Sequence, residues 1–263
     1  MRLVSIDIYI YIYMYIMSKY FITFGGGYIN YHQAVDRIVN QAEQFNVFNK
    51  CYGFKDHDLI NDSLFWNEHG KFILSNPKGC GYWIWKGYLI KKIMDQINYG
   101  DIILYADSGC ELNINGKEKL MEYFKLTEEH NIVAFQMVFP ENEYTKMDLF
   151  NYLNISNEDR ESGQIHATSF FIKKTENNMQ FLTELNELYK MNNYHFVDDS
   201  KSIEPNHKNF IDNRHDQSCF SLLMKKYKQF YIKQDETWYS DWNDGMKFPI
   251  LAYRNRSGIS HLL

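Results

Sequence analysis

One stretch of the chain, residues 101–110, restricts the possible folds more than any other. It reads DIILYADSGC, and residues 102–106 are apolar or aromatic without alternation. Such a run is typical of a strand that is buried on both faces of a sheet. Asp107 follows this strand directly, and Gly109 allows the backbone to turn sharply after it. The stretch therefore predicts an α/β fold that carries one carboxylate at the carboxyl end of a central strand.

Asp107 lies where open α/β sheets bind their ligands. A carboxylate at that place suits Mg²⁺ or Mn²⁺ and, through the metal, a diphosphate. The simpler alternative is that Asp107 caps the turn or the helix that follows. This residue alone does not decide between the two interpretations.

The size and composition of the chain exclude some classes of protein. The 263 residues contain no repeat and no Pro/Ser-rich linker, which favours one domain. A net charge of −5 gives no electrostatic support for nucleic-acid binding, so no nucleic acid is expected as a partner. The four cysteines form no C-x-x-C pair and indicate reduced thiols in the cytoplasm, with one disulfide as the alternative.

The amino-terminal segment at residues 3–16 reads LVSIDIYIYIYMYI and alternates Ile or Met with Tyr from Ile8 onward. It is too short to span a membrane, contains Asp7, and lacks the cleavage site of a signal peptide. It is either an added edge strand or a low-complexity extension ahead of a second possible start at Met17. We favour an extension over residues 1–17, followed by the domain at residues 18–263, and we predict no spanning membrane segment.

Hydrophobic periodicity gives a coarse order of elements. Strands are predicted at residues 19–24, 102–106, 132–139 and 165–173. Helices are predicted at residues 31–45, 58–68 and 117–129, from Lys86 to about Asn98, at residues 178–190, and after Asp216. Residues 141–163 are predicted as a variable loop with a short helix. The strand, glycine turn and helix at residues 19–45 are typical of the opening of a nucleotide-binding α/β domain.

Three blocks of sequence stand out together: GCGYWIWK at 79–86, GDIILYADSGC at 100–110 and RHDQS at 214–218. Their combination resembles a family of sugar transferases found in bacteria and large DNA viruses, over about residues 18–256. More distantly, their order is similar to glycosyltransferase families 8 and 32. The resemblance implies a single Rossmann-like GT-A domain with a mixed central sheet. It also implies a nucleotide-diphosphate sugar as donor, with a UDP-sugar favoured, a glycan or glycoprotein acceptor and, for a virus, the host cytoplasm.

The resemblance also assigns roles to residues. In family 8 an Asp-x-Asp motif at a strand end holds Mn²⁺ or Mg²⁺, and an Asp-Gln pair opens a later helix. Here the metal role falls on Asp107 and the catalytic roles fall on Asp216 and Gln217. Asp216 would bind sugar hydroxyls or deprotonate the acceptor, and Gln217 would lie beneath the anomeric carbon in a retaining enzyme. The other predicted donor-binding residues are Phe24, Gly25, Arg37, Trp83, Trp85, Lys86, Ala106, Arg214 and His215.

Several of these residues also have a structural alternative. Lys86 is either a diphosphate contact or a solvated helix charge, and Arg37 is a second candidate cation. Only one of Trp83 and Trp85 is expected to border the site, with core packing as the alternative. Asp216 is otherwise an acid in the first turn of a helix, where the helix dipole favours it.

The sequence departs from the family pattern at three places. Gly109 replaces the second acid of Asp-x-Asp, Gly87 replaces a proline, and His261 does not match the late histidine ligand. These departures keep open a non-catalytic carbohydrate-binding protein on a degenerate transferase scaffold. A phosphatase or nucleotidyltransferase that uses Asp107 is a weaker alternative, because neither a second acid nor a P-loop is visible.

Overall fold

A computed structural model describes residues 17–262. The predicted extension therefore lies outside the described residues, apart from Met17. The strands are β1 (Lys19–Gly25), β2 (Lys50–Lys55), β3 (Ile102–Ala106), β4 (Glu111–Leu112), β5 (Ile132–Val133), β6 (Gln136–Pro140), β7 (Gly163–Ile165), β8 (Ser169–Lys173) and β9 (Ile250–Leu251). The helices are α1 (Ile29–Gln44), α2 (Asp56–Ile60), α3 (Ser63–Ser75), α4 (Gly79–Tyr82), α5 (Trp85–Met94), α6 (Lys117–His130), α7 (Glu141–Tyr144), α8 (Met147–Leu153), α9 (Asn157–Glu161), α10 (Glu176–Tyr194), α11 (Asp216–Lys226) and α12 (Trp242–Gly245).

The main sheet has five strands in the order β2-β1-β3-β8-β5. Strands β2, β1 and β3 are parallel, and β8 runs antiparallel to both β3 and β5. Tyr105 of β3 lies between Ile22 of β1 and Phe170 of β8. Every residue of β3 is buried. The prediction of an α/β fold with a mixed central sheet and a central β3 is therefore confirmed.

Side chains of β3 alternate between two hydrophobic cores, because successive residues of a strand face opposite sides of the sheet. Ile103 and Tyr105 pack in a cluster with residues of α5, α10 and α11. Ile102 and Leu104 pack in a second cluster with residues of α1 and α6. Full burial of one large apolar side chain contributes roughly 1.5–3 kcal/mol. The sheet is thus held between two helical layers, and its strand ends stay free to carry polar groups.

Two predicted strands are broken in the structure. Residues 132–139 divide into β5 and β6, and residues 165–173 divide into β7 and β8. The chain leaves the main sheet at the first break and joins it again at the second, and β6 pairs with β7 in a separate two-stranded sheet. The second break exposes the backbone of residues 166–168 toward α5, where Lys86 contacts the carbonyl oxygen of Ala167.

The GCGYW block forms a turn of left-handed backbone. All five residues from Gly79 to Trp83 have positive φ, between 52° and 85°. A Cβ atom on Gly79 would lie 2.5 Å from the Trp83 ring, and one on Gly81 would lie 2.6 Å from Ile73. Both glycines are therefore required for packing as well as for handedness. The turn leads into α5, which carries Lys86 in its first turn.

Two expectations concern thiols and membranes. All four cysteines are free in the structure, so the alternative of one disulfide is not realised. Within residues 17–262, no helix combines the length and the apolar character that a bilayer-spanning segment needs.

Candidate active site

Lys86 lies at the centre of a buried charge cluster. Its Nζ atom is 2.7 Å from Asp216 Oδ2 and 3.3 Å from Asp107 Oδ1. It also donates a hydrogen bond of 2.8 Å to the carbonyl oxygen of Ala167. Lys86 ends the GCGYWIWK block, Asp107 belongs to the second block and Asp216 to the third. The three blocks that carry the family resemblance therefore meet at one ammonium group, at the carboxyl end of β3.

Burial and charge act in opposite directions on these groups. Burial alone would lower the pKa of Lys86, but Asp107 and Asp216 together raise it above its ordinary value. Burial raises the pKa of Asp216 to about 6; Lys86 opposes this rise and Asp107 adds to it. Lys86 is thus charged at neutral pH, whereas Asp216 titrates close to it.

Asp107 is the accessible member of the cluster. Its side chain is 32% exposed, compared with 5% for Lys86 and 6% for Asp216. The Tyr105 hydroxyl donates to Asp107 Oδ1 at 2.5 Å, and the Asp107 backbone N–H donates to the carbonyl oxygen of Thr168 at 2.8 Å. Burial, together with Asp107, raises the pKa of Tyr105 well above its usual value. Tyr105 therefore acts as a fixed donor that orients the carboxylate.

Tyr105 was not among the site residues predicted from the sequence. The signal was present, because residues two apart on an extended chain share one face of the sheet. The Y-x-D spacing of Tyr105 and Asp107 places the hydroxyl beside the carboxylate.

The residues around Asp107 fit a divalent cation poorly. Mg²⁺ and Mn²⁺ prefer several oxygen ligands, whereas Asp107 Oδ1 already faces a hydroxyl donor and an ammonium group. Residue 109 is glycine and supplies no second carboxylate. In the part of the chain that the structure describes, no group of three or more His, Cys, Asp or Glu side chains is arranged to hold a metal ion.

His215 borders the site on the side of α4. Its ring stacks on Tyr82 with centroids 4.9 Å apart and an angle of 15°, and the Trp83 ring lies 5.4 Å away. Its Nε2 atom is 2.8 Å from Asp199 Oδ1. Burial lowers the pKa of His215, and its contact with Asp199 opposes this. His215 has φ 60° and ψ −123°, so this side of the site is held in a backbone conformation that non-glycine residues rarely adopt.

The two tryptophans have different positions. Trp85 is 3% exposed, its ring lies 3.9 Å from that of Phe24, and its indole N–H donates to the carbonyl oxygen of Gly79. Trp83 is half-buried and reaches the surface beside His215. Trp85 and Phe24 thus belong to the core, and only Trp83 is placed where a ligand contact is possible.

Gln217 holds the backbone at the second strand break. Its Oε1 atom accepts a hydrogen bond from Ala167 N–H at 3.3 Å, and its Nε2 atom donates to Gln164 Oε1 at 2.6 Å. Because Lys86 binds the carbonyl oxygen of the same Ala167, both polar groups of this residue are held by predicted site residues.

The prediction for Arg37 needs correction. Its side chain is buried, and its guanidinium lies 3.5 Å from Glu111 Oε1. It donates to four backbone carbonyl oxygens, those of Ser108 (2.7 Å), Asn255 (3.0 Å), Ser257 (3.0 Å) and Cys110 (3.1 Å). These bonds use its donors, so Arg37 fixes the turn after Asp107 and does not offer a free cation to a diphosphate.

The remaining predicted residues lie around this turn. Ala106 is fully buried within β3, so only its backbone borders the site. A Cβ atom on Gly25 would lie 3.0 Å from Ser108 Oγ, which places the end of β1 against the turn. Arg214 is half-buried, and its guanidinium lies over the Tyr144 ring, 3.6 Å from the centroid.

A cavity of about 530 Å³ lies beside the cluster rather than at it. Residues 199–206 and 210–213, together with Lys146, line this cavity. Asp199 lines the cavity and also contacts His215, so His215 lies between the cavity and the charge cluster.

Comparisons with known proteins give similarity of fold at low identity. No protein-family model matches the chain, and no curated protein matches it. Similar solved structures include a glycosyltransferase involved in glycosylation of the major capsid of PBCV-1 (11% identity, 89% of this chain and 91% of that chain, TM-score 0.48). A second is mouse xyloside xylosyltransferase 1 (10% identity, 86% of this chain and 90% of that chain, TM-score 0.46). A third is the galactosyltransferase LgtC in complex with donor and acceptor sugar analogs (11% identity, 89% of this chain and 86% of that chain, TM-score 0.46). All three TM-scores lie below 0.5, so these similarities do not establish a shared family or a shared activity.

Proposed function

We propose that this protein transfers a sugar from a nucleotide-diphosphate sugar, with UDP-sugars favoured, to a hydroxyl group of a glycan or glycoprotein. One observation supports the proposal above the others. Lys86, Asp107 and Asp216 come from the three separate blocks that resemble a family of sugar transferases, and both carboxylates contact the Lys86 ammonium group. The cluster lies at the carboxyl end of a central strand, where open α/β sheets bind ligands.

The chemistry of glycosyl transfer matches the groups in this cluster. The bond between the anomeric carbon and a diphosphate oxygen breaks, and the diphosphate keeps the electron pair. The acceptor oxygen forms the new bond to that carbon and releases its proton. Positive side chains stabilise the departing diphosphate, and a carboxylate orients sugar hydroxyls or accepts the proton. Asp107 is the carboxylate accessible to substrate, and Lys86 with Tyr105 fixes its orientation.

Asp216 has a different place in this scheme. With a side chain 6% exposed and 2.7 Å from Lys86, it balances the lysine from the buried side. This arrangement favours a positioning role through Lys86. Direct contact of Asp216 with a sugar hydroxyl stays a prediction, and so does the placement of Gln217 beneath the anomeric carbon.

The pH dependence of transfer should report on Asp216. Its carboxyl group is protonated below a pH of about 6 and ionised above it. Once it is neutral, Lys86 is balanced by Asp107 alone and draws that carboxylate toward the interior. We therefore expect kcat/KM to fall about tenfold per pH unit below this value. The measurement is kcat/KM between pH 5 and 8 for the parent protein and for Asp216→Asn. The fall at acidic pH, the acidic limb of the profile, should appear in the parent only.

Comparison of the parent with Asp216→Asn also distinguishes a positioning role of Asp216 from a general loss of folded protein. Asp216→Asn should lower turnover far more than affinity for UDP, measured by calorimetry, because bare nucleotide does not need the aligned carboxylate. An unchanged acidic limb in Asp216→Asn would assign the limb to another group and contradict this role.

A thermal-shift screen followed by a transfer assay tests the proposed function itself. The panel contains UDP-glucose, UDP-galactose, UDP-N-acetylglucosamine and GDP-mannose, each with EDTA and with Mn²⁺. A donor at 100 times its Kd stabilises the folded state by about 2.7 kcal/mol. A shift together with release of UDP or GDP supports a transferase. A shift without release would favour the non-catalytic binding protein, and no shift with any donor would contradict the proposal.

A further inference from the structure

The carboxy-terminal segment crosses the turn that carries Asp107. The backbone N–H of Asn255 donates to the carbonyl oxygen of Gly109 at 2.8 Å. A Cβ atom on Gly109 would lie 3.4 Å from Cα of Arg254. Arg254 is therefore placed directly against the turn, two residues beyond Asp107.

Buried groups fix this segment in place. Arg37 donates both to Ser108 O on the turn and to Asn255 O on the segment. The fully buried carboxylate of Glu111 accepts from Asn255 Nδ2 at 2.6 Å. Arg254 itself has φ 56°, a conformation that L-residues rarely adopt without such constraints. The position of Arg254 is thus determined by its neighbours rather than by its own contacts.

Arg254 and Arg214 are two cations that form no ion pair with a carboxylate of the described residues. Arg254 is exposed, and within residues 17–262 it makes no hydrogen bond or ion pair. Arg214 lies over the rings of Tyr144 and Phe139, and no carboxylate of the described residues lies within ion-pair distance of it. Burial lowers the pKa of Arg214, and the charge of Arg254 lowers it further. Tyr144 and Asp212 oppose this lowering.

We propose that Arg254 binds the diphosphate of the donor as a side-chain cation, in place of a divalent ion held by the protein. This inference rests on the proposed function and specifies how that site neutralises the leaving group. Guanidinium groups bind phosphate oxygens through two parallel hydrogen bonds. The poor fit of Asp107 to a divalent cation and the unpaired guanidinium group of Arg254 beside its turn thus have one explanation.

Calorimetry with UDP and UMP, in EDTA and then with Mn²⁺, tests the inference. The parent protein should bind UDP in EDTA and prefer it to UMP. Arg254→Ala should weaken UDP binding at least about tenfold while changing UMP binding less, because a charge-assisted hydrogen bond to the second phosphate is lost. Arg254→Lys should retain part of the preference. Lys247→Ala is the matched control, since it removes an exposed cation from the same region of the chain.

The outcomes separate the inference from the proposed function. UDP binding that requires Mn²⁺, or an Arg254→Ala variant that binds UDP as Lys247→Ala does, overturns the inference and leaves the transferase proposal standing. Failure to bind UDP, GDP or any nucleotide sugar in either condition contradicts the proposed function itself. Because the Arg254 side chain is exposed, the melting temperature of the variant should match that of the parent and exclude a folding defect.

Discussion

Replacing Lys86 with methionine should destabilise the protein by about 3–5 kcal/mol and abolish transfer. Methionine fits the space but leaves Asp216 buried without a cation 2.7 Å away. For a chain of this size the loss corresponds to a fall in melting temperature of roughly 6–20 °C. Thermal unfolding at pH 8 measures it directly.

The loss should depend on pH in a defined direction. Lys86 is the group that lowers the pKa of Asp216, so its removal moves that pKa above the present value of about 6. A carboxyl group whose pKa is raised in the folded state binds protons more tightly there, so stability falls as pH rises from the unfolded value toward the folded one. We therefore expect Lys86→Met to be closer to the parent at pH 5 than at pH 8.

A second substitution provides the control. Adding Asp216→Asn removes the uncompensated charge and should restore much of the stability at pH 8 without restoring transfer. If Lys86→Met is as stable as the parent at pH 8, or if Asp216→Asn restores nothing, the cluster is not held together by these charges.

Asp107→Asn should reduce turnover by at least about 100-fold while leaving the protein folded. Asparagine keeps an oxygen for the Tyr105 hydroxyl, and Asp216 still balances Lys86. Only the accessible negative charge is lost. The measurement is donor turnover, with and without Mn²⁺, alongside a melting curve.

Asp95→Asn is a suitable control for this substitution. Asp95 is an exposed carboxylate at the end of α5, paired with Lys91 on the surface. It should behave as the parent does. Near-normal turnover of Asp107→Asn in the presence of Mn²⁺ would show that Asp107 is not part of the reaction site.

The main sheet could be predicted where local pattern decides the structure. An unbroken apolar run predicts β3 as a doubly buried strand, and the helical periodicity of residues 31–45 predicts α1. The breaks within residues 132–139 and 165–173 could not be predicted, because they arise where β6 and β7 pair with each other instead of with the main sheet. Strand β2 was missed because KCYGFK contains two lysines and a glycine and shows no clear alternation.

The candidate site could also be predicted only in part. The block pattern identified Lys86, Asp107 and Asp216, since a resemblance carries residues that act together even when they are distant in the chain. Arg37 was predicted separately, as a second candidate cation on the first helix, but its donors are taken by carbonyl groups of the turn after Asp107 and of the carboxy-terminal segment, which only folding brings near. Arg254 was not identified for the same reason, because its place depends on the crossing of that segment over Gly109.

The left-handed turn at Gly79–Trp83 offers a route for engineering. Left-handed backbone costs an L-residue roughly 1–2 kcal/mol, and this turn contains three that are not glycine. Tyr82 and Trp83 border His215, but Cys80 makes no hydrogen bond through its side chain in the described part of the chain. Position 80 is therefore where glycine would relieve the turn, at the expense of the contacts that the partly buried Cys80 side chain makes with the core.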